Sequence, residues 1–257
     1  MSSVTIGGIE VPVTFSCVCD QEKVLSARTF LDWYRKMGDP RFDVKSIEIQ
    51  SVDMFGPRVG FIKLKADVER RECDDPSKKK IPAICFLRGG AAAILLKIRC
   101  QETGHLFTIL TVQARVPVGD FEHLEIPAGM VDDSSFRGTA AKELDEEAGI
   151  RLDPSQMVCL SDLAGHQQGM FPSSGGCDES IKLYLAQLEM SPSDIASLQG
   201  KLTGEIGSSE SIRLKLIDFE DVCSVPDAKA LSAKALHDYL SRQGKILDEF
   251  HPYKLSE

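Results

Sequence analysis

No stretch of this sequence approaches the roughly 20 consecutive apolar residues that a membrane-crossing helix needs. The longest candidate, Ala91-Ala92-Ala93-Ile94-Leu95-Leu96, stops at Lys97, so no membrane partner is expected. The eight cysteines contain no CxxC pair, which removes the usual zinc and dithiol sites. Cys17 and Cys19 form a CxC pair with no second pair to complete it, and the thiols read as buried or idle, as in a reducing compartment. Positive charge is scarce: 30 Lys+Arg against 39 Asp+Glu leave a net charge of −9 at pH 7. That balance repels nucleic acid and acidic membrane surfaces, and no nucleic-acid partner is expected. The one basic run, Lys78-Lys79-Lys80, follows a polar stretch and reads as a solvated loop. Met1 to Phe15 has neither the basic-then-apolar layout of a secretion signal nor an Arg-rich presequence. A cytoplasmic address is expected, with a plastid or other organelle as the alternative if a presequence is missing from this chain. Internal repeats and low-complexity segments are absent.

What is present is an ordinary globular composition: 257 residues, 42% hydrophobic and 27% charged, enough for a sizeable core. Residues 6–19 alternate as a half-buried strand, with Ile9, Val11, Val13 and Phe15 two apart. Phe30, Trp33, Tyr34 and Met37 recur at helical spacing, predicting a helix over 26–37 that stops at Gly38. Strand patterns return over 45–68, divided by a Gly56-Pro57 turn. Further strands are expected at 81–87, 91–98, 107–112, 157–164, 180–188 and 211–218, and helices near 137–148, 192–202 and 227–243. The fold class expected is α/β or α+β in two parts: a small, mainly β domain over 1–80 and a larger mixed-sheet domain over 81–250.

The residues that carry chemistry lie between Glu125 and Ile150. From 132 to 147, six acidic residues against two basic ones give a net charge of −4 in one loop and helix. On a helix, Ala141, Leu144 and Ala148 fall within about 60° of one another, and Glu143, Glu146 and Glu147 gather on the other side. Like charges so placed cost an isolated helix about 0.2–0.5 kcal/mol per pair, a cost that a divalent cation offsets. On the glutamates alone, a solvated acidic face is the competing reading. Pro127-Ala128-Gly129 bends the backbone ahead of the helix, which can aim the Ala128 carbonyl at the same ion, and Gly149 supplies a left-handed C-cap.

The stretch from Gly129 to Ile150 resembles the Nudix box: Gly, five residues, Glu, seven residues, then Arg-Glu-U-x-Glu-Glu-x-Gly-U, with U apolar. Lys142-Glu143-Leu144-Asp145-Glu146-Glu147-Ala148-Gly149-Ile150 matches its second half with Lys142 in place of Arg. The first half departs further: the interval is one residue short, and Ser134 or Ser135 stands near the first Glu position, with Asp132 or Asp133 as a neighbouring substitute. A second motif, Phe171-Pro172-Ser173-Ser174-Gly175-Gly176-Cys177-Asp178-Glu179, is similar to the Pro-Ser-x-Gly-x-x-(Asp/Ser)-Glu loop of ADP-ribose and ADP-sugar pyrophosphatases. Stretches around 52–61, 86–90, 113–117 and 227–231 look like corresponding parts of the plant plastid members of that branch, so that the likeness runs over most of residues 45–240.

The resemblance implies a Nudix fold, a mixed sheet sandwiched between helices, and hydrolysis of the diphosphate bond of a nucleotide sugar, ADP-glucose or ADP-ribose. It implies Mg²⁺, with Mn²⁺ as a substitute, held by Glu143, Glu147 and the Ala128 carbonyl. Glu146 would be a further catalytic or metal-binding carboxylate, and Glu179 the base that activates water. Arg115 and Arg88 are candidates for holding phosphate, each with a structural salt bridge as its competing role. Phe55 or Trp33 is a candidate for stacking on the base, core packing being the competing role for Trp33. Gly129, Lys142 and Gly149 are structural residues of the box. The same resemblance implies a homodimer built with the N-terminal domain. Two other readings remain open: a catalytically silent protein of this fold that binds a nucleotide sugar or a protein partner, and a hydrolase of UDP-sugars or another nucleotide.

Overall fold

A computed structural model of the chain describes residues 2–131, 135–204 and 211–253. It divides into two compact units. One holds the residues up to Gly89 together with Ser173–Glu179, and the other holds Gly90–Pro172 and the residues from Ser180 onward.

The first unit is a sheet with helices. Its elements are β1 (Ser2–Ile6), β2 (Ile9–Phe15), α1 (Gln21–Ser26), α2 (Arg28–Arg35), β3 (Phe42–Phe55), β4 (Arg58–Arg70), α3 (Pro76–Lys79), β5 (Lys80–Ile81) and β6 (Ile84–Leu87). The strand order is β1-β2-β3-β4-β5, with β6 also on β4; β2 and β3 run parallel and the other pairs antiparallel. The helix expected over 26–37 is α2, which starts only at Arg28 because Ala27 is extended (φ −64°, ψ 134°); a separate helix α1 precedes it, where Asp20 accepts from the Lys23 N–H at 3.1 Å. Phe30 and Trp33 from α2 bury with Ile47, Ile49, Ile62 and Leu64. Trp33 is therefore a core residue. Ser173–Glu179 joins this unit through β6: the Phe86 N–H donates to the Gly176 carbonyl at 2.7 Å, and the Asp178 N–H donates to the Phe86 carbonyl at 3.3 Å.

The second unit contains β7 (Gly90–Cys100), β8 (Leu106–Arg115), β9 (Asp120–Glu125), β10 (Ala128–Met130), α4 (Phe136–Ala148), β11 (Met157–Cys159), α5 (Leu160–Leu163), β12 (Ser180–Met190), α6 (Pro192–Leu198), β13 (Leu202–Thr203), β14 (Ile212–Asp218), α7 (Ala228–Arg242) and β15 (His251–Pro252). The main order is β11-β12-β7-β8-β14-β13. Parallel pairing of β12 with β7 puts these two strands at the centre, where both faces are covered, and Ala91 to Ile98 is buried without interruption. Ala92, Ile94, Leu96 and Ile98 face Ala140, Leu144 and Ala148 of α4, while Ala91, Ala93 and Leu95 face Ala230, Ala233 and Leu240 of α7. Of the strand expected at 157–164 only Met157–Cys159 is extended. The chain then turns into α5, where the buried Ser161 hydroxyl accepts from the Leu183 N–H at 3.0 Å and so serves β12 from a helix.

One irregularity of this sheet positions the chemistry. β7 and β8 pair only at Ile98↔Phe107 and Arg99↔Leu106. Towards its start β7 pairs instead with β10 (Ala91 to Ala93 against Met130 to Ala128), and the end of β8 pairs with β9 (Thr111 against Glu125). The two short strands fill the opening and deliver Ala128 and Gly129 beside α4.

Candidate active site

Helix α4 is fixed at both ends. Ser135 caps it by accepting from the Gly138 N–H at 3.1 Å, and Gly149 closes it at φ 66°, its N–H reaching the Leu144 and Asp145 carbonyls. Between the caps, Ala140, Leu144 and Ala148 hold one stripe against β7. The stretch Asp132, Asp133 and Ser134, where the first Glu of the box would be replaced, lies outside the described residues.

The competing reading of the three box glutamates as one solvated face does not hold. Glu147 is only 6% exposed and lies among Ala140, Leu144 and Ala148 on the buried side of α4. Its position is 40° from Glu143 but only 20° from Ala140 on an ideal wheel of ~100° per residue, so it sits at the seam between core and acidic face. Its Oε2 accepts from the Ala128 N–H at 2.9 Å and its Oε1 from the Gln113 amide at 3.3 Å. These contacts tie α4 to β10 and β8. Burial pushes the Glu147 carboxyl up to about 8; the two hydrogen bonds pull against that rise, and the charges of Glu143 and Glu125 add to it. Among the described residues no lysine or arginine forms an ion pair with it.

Glu143 lies against Gly129. A Cβ at position 129 would fall 1.8 Å from its Oε1 and 1.9 Å from its Cδ, so the glycine is required by the close approach of this carboxylate. Glu146 lies on the open side and pairs with Lys142 at 3.4 Å, one helical turn away. The structure thus brings Ala128, Gly129, Glu143 and Glu147 together, and the group of Ala128 seen engaged is its N–H.

Arg115 stands beside a second group of charges for which no role was expected. Its Nε and Nη2 lie 2.6 and 2.5 Å from Oε1 of the buried Glu125. The other oxygen of Glu125 accepts from Lys229 Nζ at 2.6 Å, and Lys229 also reaches Asp227 at 2.9 Å. Asp227 in turn caps α7 through the Lys229 and Ala230 N–H groups. His123, Glu125 and Asp227 offer ligand atoms within 4.8 Å of one another. The Lys229 ammonium already supplies the positive charge there: burial works against that charge, yet Glu125 and Asp227 raise its pKa above the ordinary value. Gln113, Asp227 and Lys229 fall in stretches that the sequence singles out, but only contact geometry reveals what they hold.

The first unit assembles the other candidates. Arg88 Nε stands 3.1 Å from Oε1 of Glu179, outside hydrogen-bonding geometry, and is buried with no hydrogen-bond partner. The guanidinium lies 5.9 Å from the centre of the Phe61 ring. Phe61 packs edge-on to Phe55 at 4.8 Å and against Phe86 at 5.0 Å, and Phe55 is 42% exposed.

The architecture is shared with a solved protein described as an ADP compounds hydrolase, with TM-score 0.52 and 18% identity over 80% of this chain and 97% of that one. That likeness is one of fold. No family model matches the sequence. In sequence the chain is 36% identical over 239 residues to Nudix hydrolase 14, chloroplastic, of Arabidopsis thaliana, an alignment taking in 88% of this chain and 75% of that protein. The chain belongs to the Nudix hydrolase family, and its mixed sheet between helices is the Nudix fold. Among the described residues no helix is long and apolar enough to cross a membrane.

Proposed function

We propose that this protein hydrolyses the diphosphate bond of an ADP-sugar, ADP-glucose or ADP-ribose, to AMP and a sugar phosphate in the presence of Mg²⁺. The observation that carries the reading is Glu147: a buried carboxylate at the seam of α4, next to Glu143, with hydrogen-bond donors but, among the described residues, no cation. The donor set fits a hard divalent ion, being all oxygen, with a charge that burial leaves uncompensated. Glu143, Glu147 and the Ala128 carbonyl would hold Mg²⁺, or Mn²⁺ in its place, with Glu146 as a further carboxylate. Bound there, the ion supplies charge neutralisation for the diphosphate and lowers the pKa of a water molecule.

The residues of the chain do the rest. The Ala128 and Gln113 donors orient the Glu147 carboxylate, and Gly129 leaves room for that of Glu143. Glu179 takes the proton from the attacking water, so that oxygen bonds to phosphorus as the phosphoanhydride bond breaks. Arg115 and Arg88 hold phosphate oxygens, and Phe55 stacks on the base. Preference for an ADP-sugar rests on the likeness of 171–179 to the loop of that branch. We assign the first unit a part in a homodimer, which sedimentation of the intact chain tests, and the chain to the cytoplasm, or to the plastid as in the relative's name.

The test is a panel of ADP-glucose, ADP-ribose and UDP-glucose with Mg²⁺, product AMP or UMP being measured for the wild type and Glu147→Gln. Turnover of an ADP-sugar that Glu147→Gln abolishes is the expected result. Intact nucleotides with measurable binding would make this a silent binding module, and preferential release of UMP would move the substrate to UDP-sugars.

A further inference from the structure

We propose that Asp178 is a positioning residue for Glu179, and that Arg88 is a latch, paired with Glu179 in the free protein and transferred to the substrate's diphosphate on binding. The inference deepens the proposed function and rests on Glu179 being the base.

Asp178 grips the turn that follows β6. Its Oδ1 accepts from two successive backbone donors, the Arg88 N–H at 2.7 Å and the Gly89 N–H at 3.1 Å. Two adjacent N–H groups converging on one oxygen form an anion-holding nest, here filled by a side chain of the same unit. The Asp178 N–H donates to the Phe86 carbonyl and the Phe86 N–H to the Gly176 carbonyl, so the segment is tied to β6 from both sides. The next residue is Glu179, and the residue whose N–H is held is Arg88. One carboxylate therefore sets the base and its partner opposite each other.

The Arg88–Glu179 pair is close but not saturated. The Nε–Oε1 separation is 3.1 Å without hydrogen-bond geometry, and Arg88 Nε is buried and otherwise unpartnered. The guanidinium also lies over the Phe61 ring, 5.9 Å from its centre, within reach of a cation–π attraction. A planar fork binds a phosphate by two parallel charge-assisted hydrogen bonds, a better match than this one skewed contact. The Arg88 side chain is 35% and that of Glu179 15% exposed, and a contact outside hydrogen-bond geometry is weak enough for a better-matched anion to displace. When the diphosphate takes the guanidinium, the Glu179 carboxylate loses the positive charge that Arg88 holds against it and becomes the better proton acceptor. Asp178 meanwhile keeps the segment on β6. Base and substrate are coupled: the carboxylate parts from the guanidinium only when a diphosphate is in place.

Two measurements test this on the intact chain. In ¹⁵N spectra of the arginine Nε–H groups, with the Arg88 signal assigned by its loss in Arg88→Lys, both Glu179→Gln and the non-hydrolysable α,β-methylene analogue of ADP-ribose should shift that signal. An Arg88 signal indifferent to either one overturns the latch. In kinetics, Asp178→Ala should lower kcat by about 10²-fold with KM within about threefold, the scale of a misplaced catalytic group. Asp178→Asn, which keeps an oxygen acceptor, should recover kcat to within about threefold, and amide exchange at Arg88 and Gly89 should accelerate in Ala but not in Asn. Equal losses in the two variants, or unaltered exchange in Asp178→Ala, overturn the positioning role. If the wild type turns over no ADP-sugar, the proposed function fails, while the spectra and exchange rates still report on Asp178, Arg88 and Glu179.

Discussion

Neutralising Glu147 should stabilise the metal-free protein at neutral pH and destroy the gain it draws from Mg²⁺. The carboxyl moves from about 4.5 in the unfolded chain to about 8 in the folded one, because burial and the charges of Glu143 and Glu125 outweigh its two hydrogen bonds. A folded state that holds a proton more tightly than the unfolded state has its full stability below the unfolded pKa. It loses stability as the pH rises towards the folded pKa and changes little beyond. Between pH 4.5 and pH 7 that is 2.5 pH units at about 1.36 kcal/mol each, or about 3 kcal/mol lost. Glu147→Gln removes the titration and forfeits roughly 1 kcal/mol of hydrogen bonding, since one of its two acceptors becomes a donor facing an N–H. The variant should therefore match the wild type near pH 5 and exceed it by about 2 kcal/mol at pH 7, or about 4–8 °C in Tm for a chain of this size. With Mg²⁺ at a hundred times its Kd the wild type should gain about 2.7 kcal/mol and the variant nothing, reversing the order. Thermal melts from pH 5 to 8.5, in EDTA and in Mg²⁺, read both effects. Parallel wild-type and variant curves in EDTA would show that the buried carboxylate carries no such penalty, and the argument for a cation at this position would fail.

Three further outcomes follow from the same geometry. Glu179→Gln should lower turnover by about two to four orders of magnitude, the scale of a positioned acid or base, and leave the Mg²⁺-induced rise in Tm unchanged; near-normal turnover removes it from the base role. Gly129→Ala places a methyl group 1.8 Å from Glu143 Oε1 and must expel that carboxylate, so turnover should fall about 10²-fold or more and the Mg²⁺ concentration for half-maximal rate should rise; unchanged metal dependence would refute the role of the glycine. Lys229→Met strands Asp227 and leaves Glu125 with Arg115 alone, the two carboxylates being 5% and 2% exposed, and should cost about 3–5 kcal/mol of unfolding free energy in EDTA and Mg²⁺ alike; a stability that Mg²⁺ restores would mean that this cluster also binds metal.

The fold was legible where periodicity or punctuation is strong. The Gly56-Pro57 turn divides β3 from β4, the apolar run from Ala91 reads as a strand, and Gly149 ends α4 where the pattern of alanines and Leu144 places a helix. It was less legible where a local choice overrides the pattern. Ala27 carries apolar spacing on both sides yet takes an extended conformation, and Leu160 continues a β-like run while turning into a helix. The site was legible as a set of residue types and not as an environment. A helical wheel sorts Glu147 with Glu143 and Glu146 because it counts angles alone. It cannot show that β10, pairing with β7 in the gap left by β8, brings the Ala128 N–H over α4 and closes Glu147 off from water. The link from Asp178 to Arg88 spans 90 residues and has no periodicity for a sequence to display.

The two acidic groups of the second unit show why charge balance is a better guide to the cation than acid count. Glu125, Asp227 and His123 satisfy the spacing of a metal site, yet Lys229 and Arg115 stand 2.5–2.9 Å from the two carboxylates and cancel their charge from within the chain. Glu147 has the same depth and a like-charged neighbour in Glu143, but its partners are an N–H and an amide, which orient a carboxylate without neutralising it. A fold that supplies lysine for one buried group and only dipoles for the other leaves the second with a charge to be met from solution. The difference also sets how the groups respond to pH: Glu125 and Asp227 hold Lys229 protonated, whereas Glu147 waits near neutrality for a cation or a proton. A divalent ion therefore competes with protons at Glu147, and its affinity should rise as the pH rises towards 8 and level off above it. A flat Mg²⁺ affinity between pH 6 and 8 by calorimetry would place the ion elsewhere.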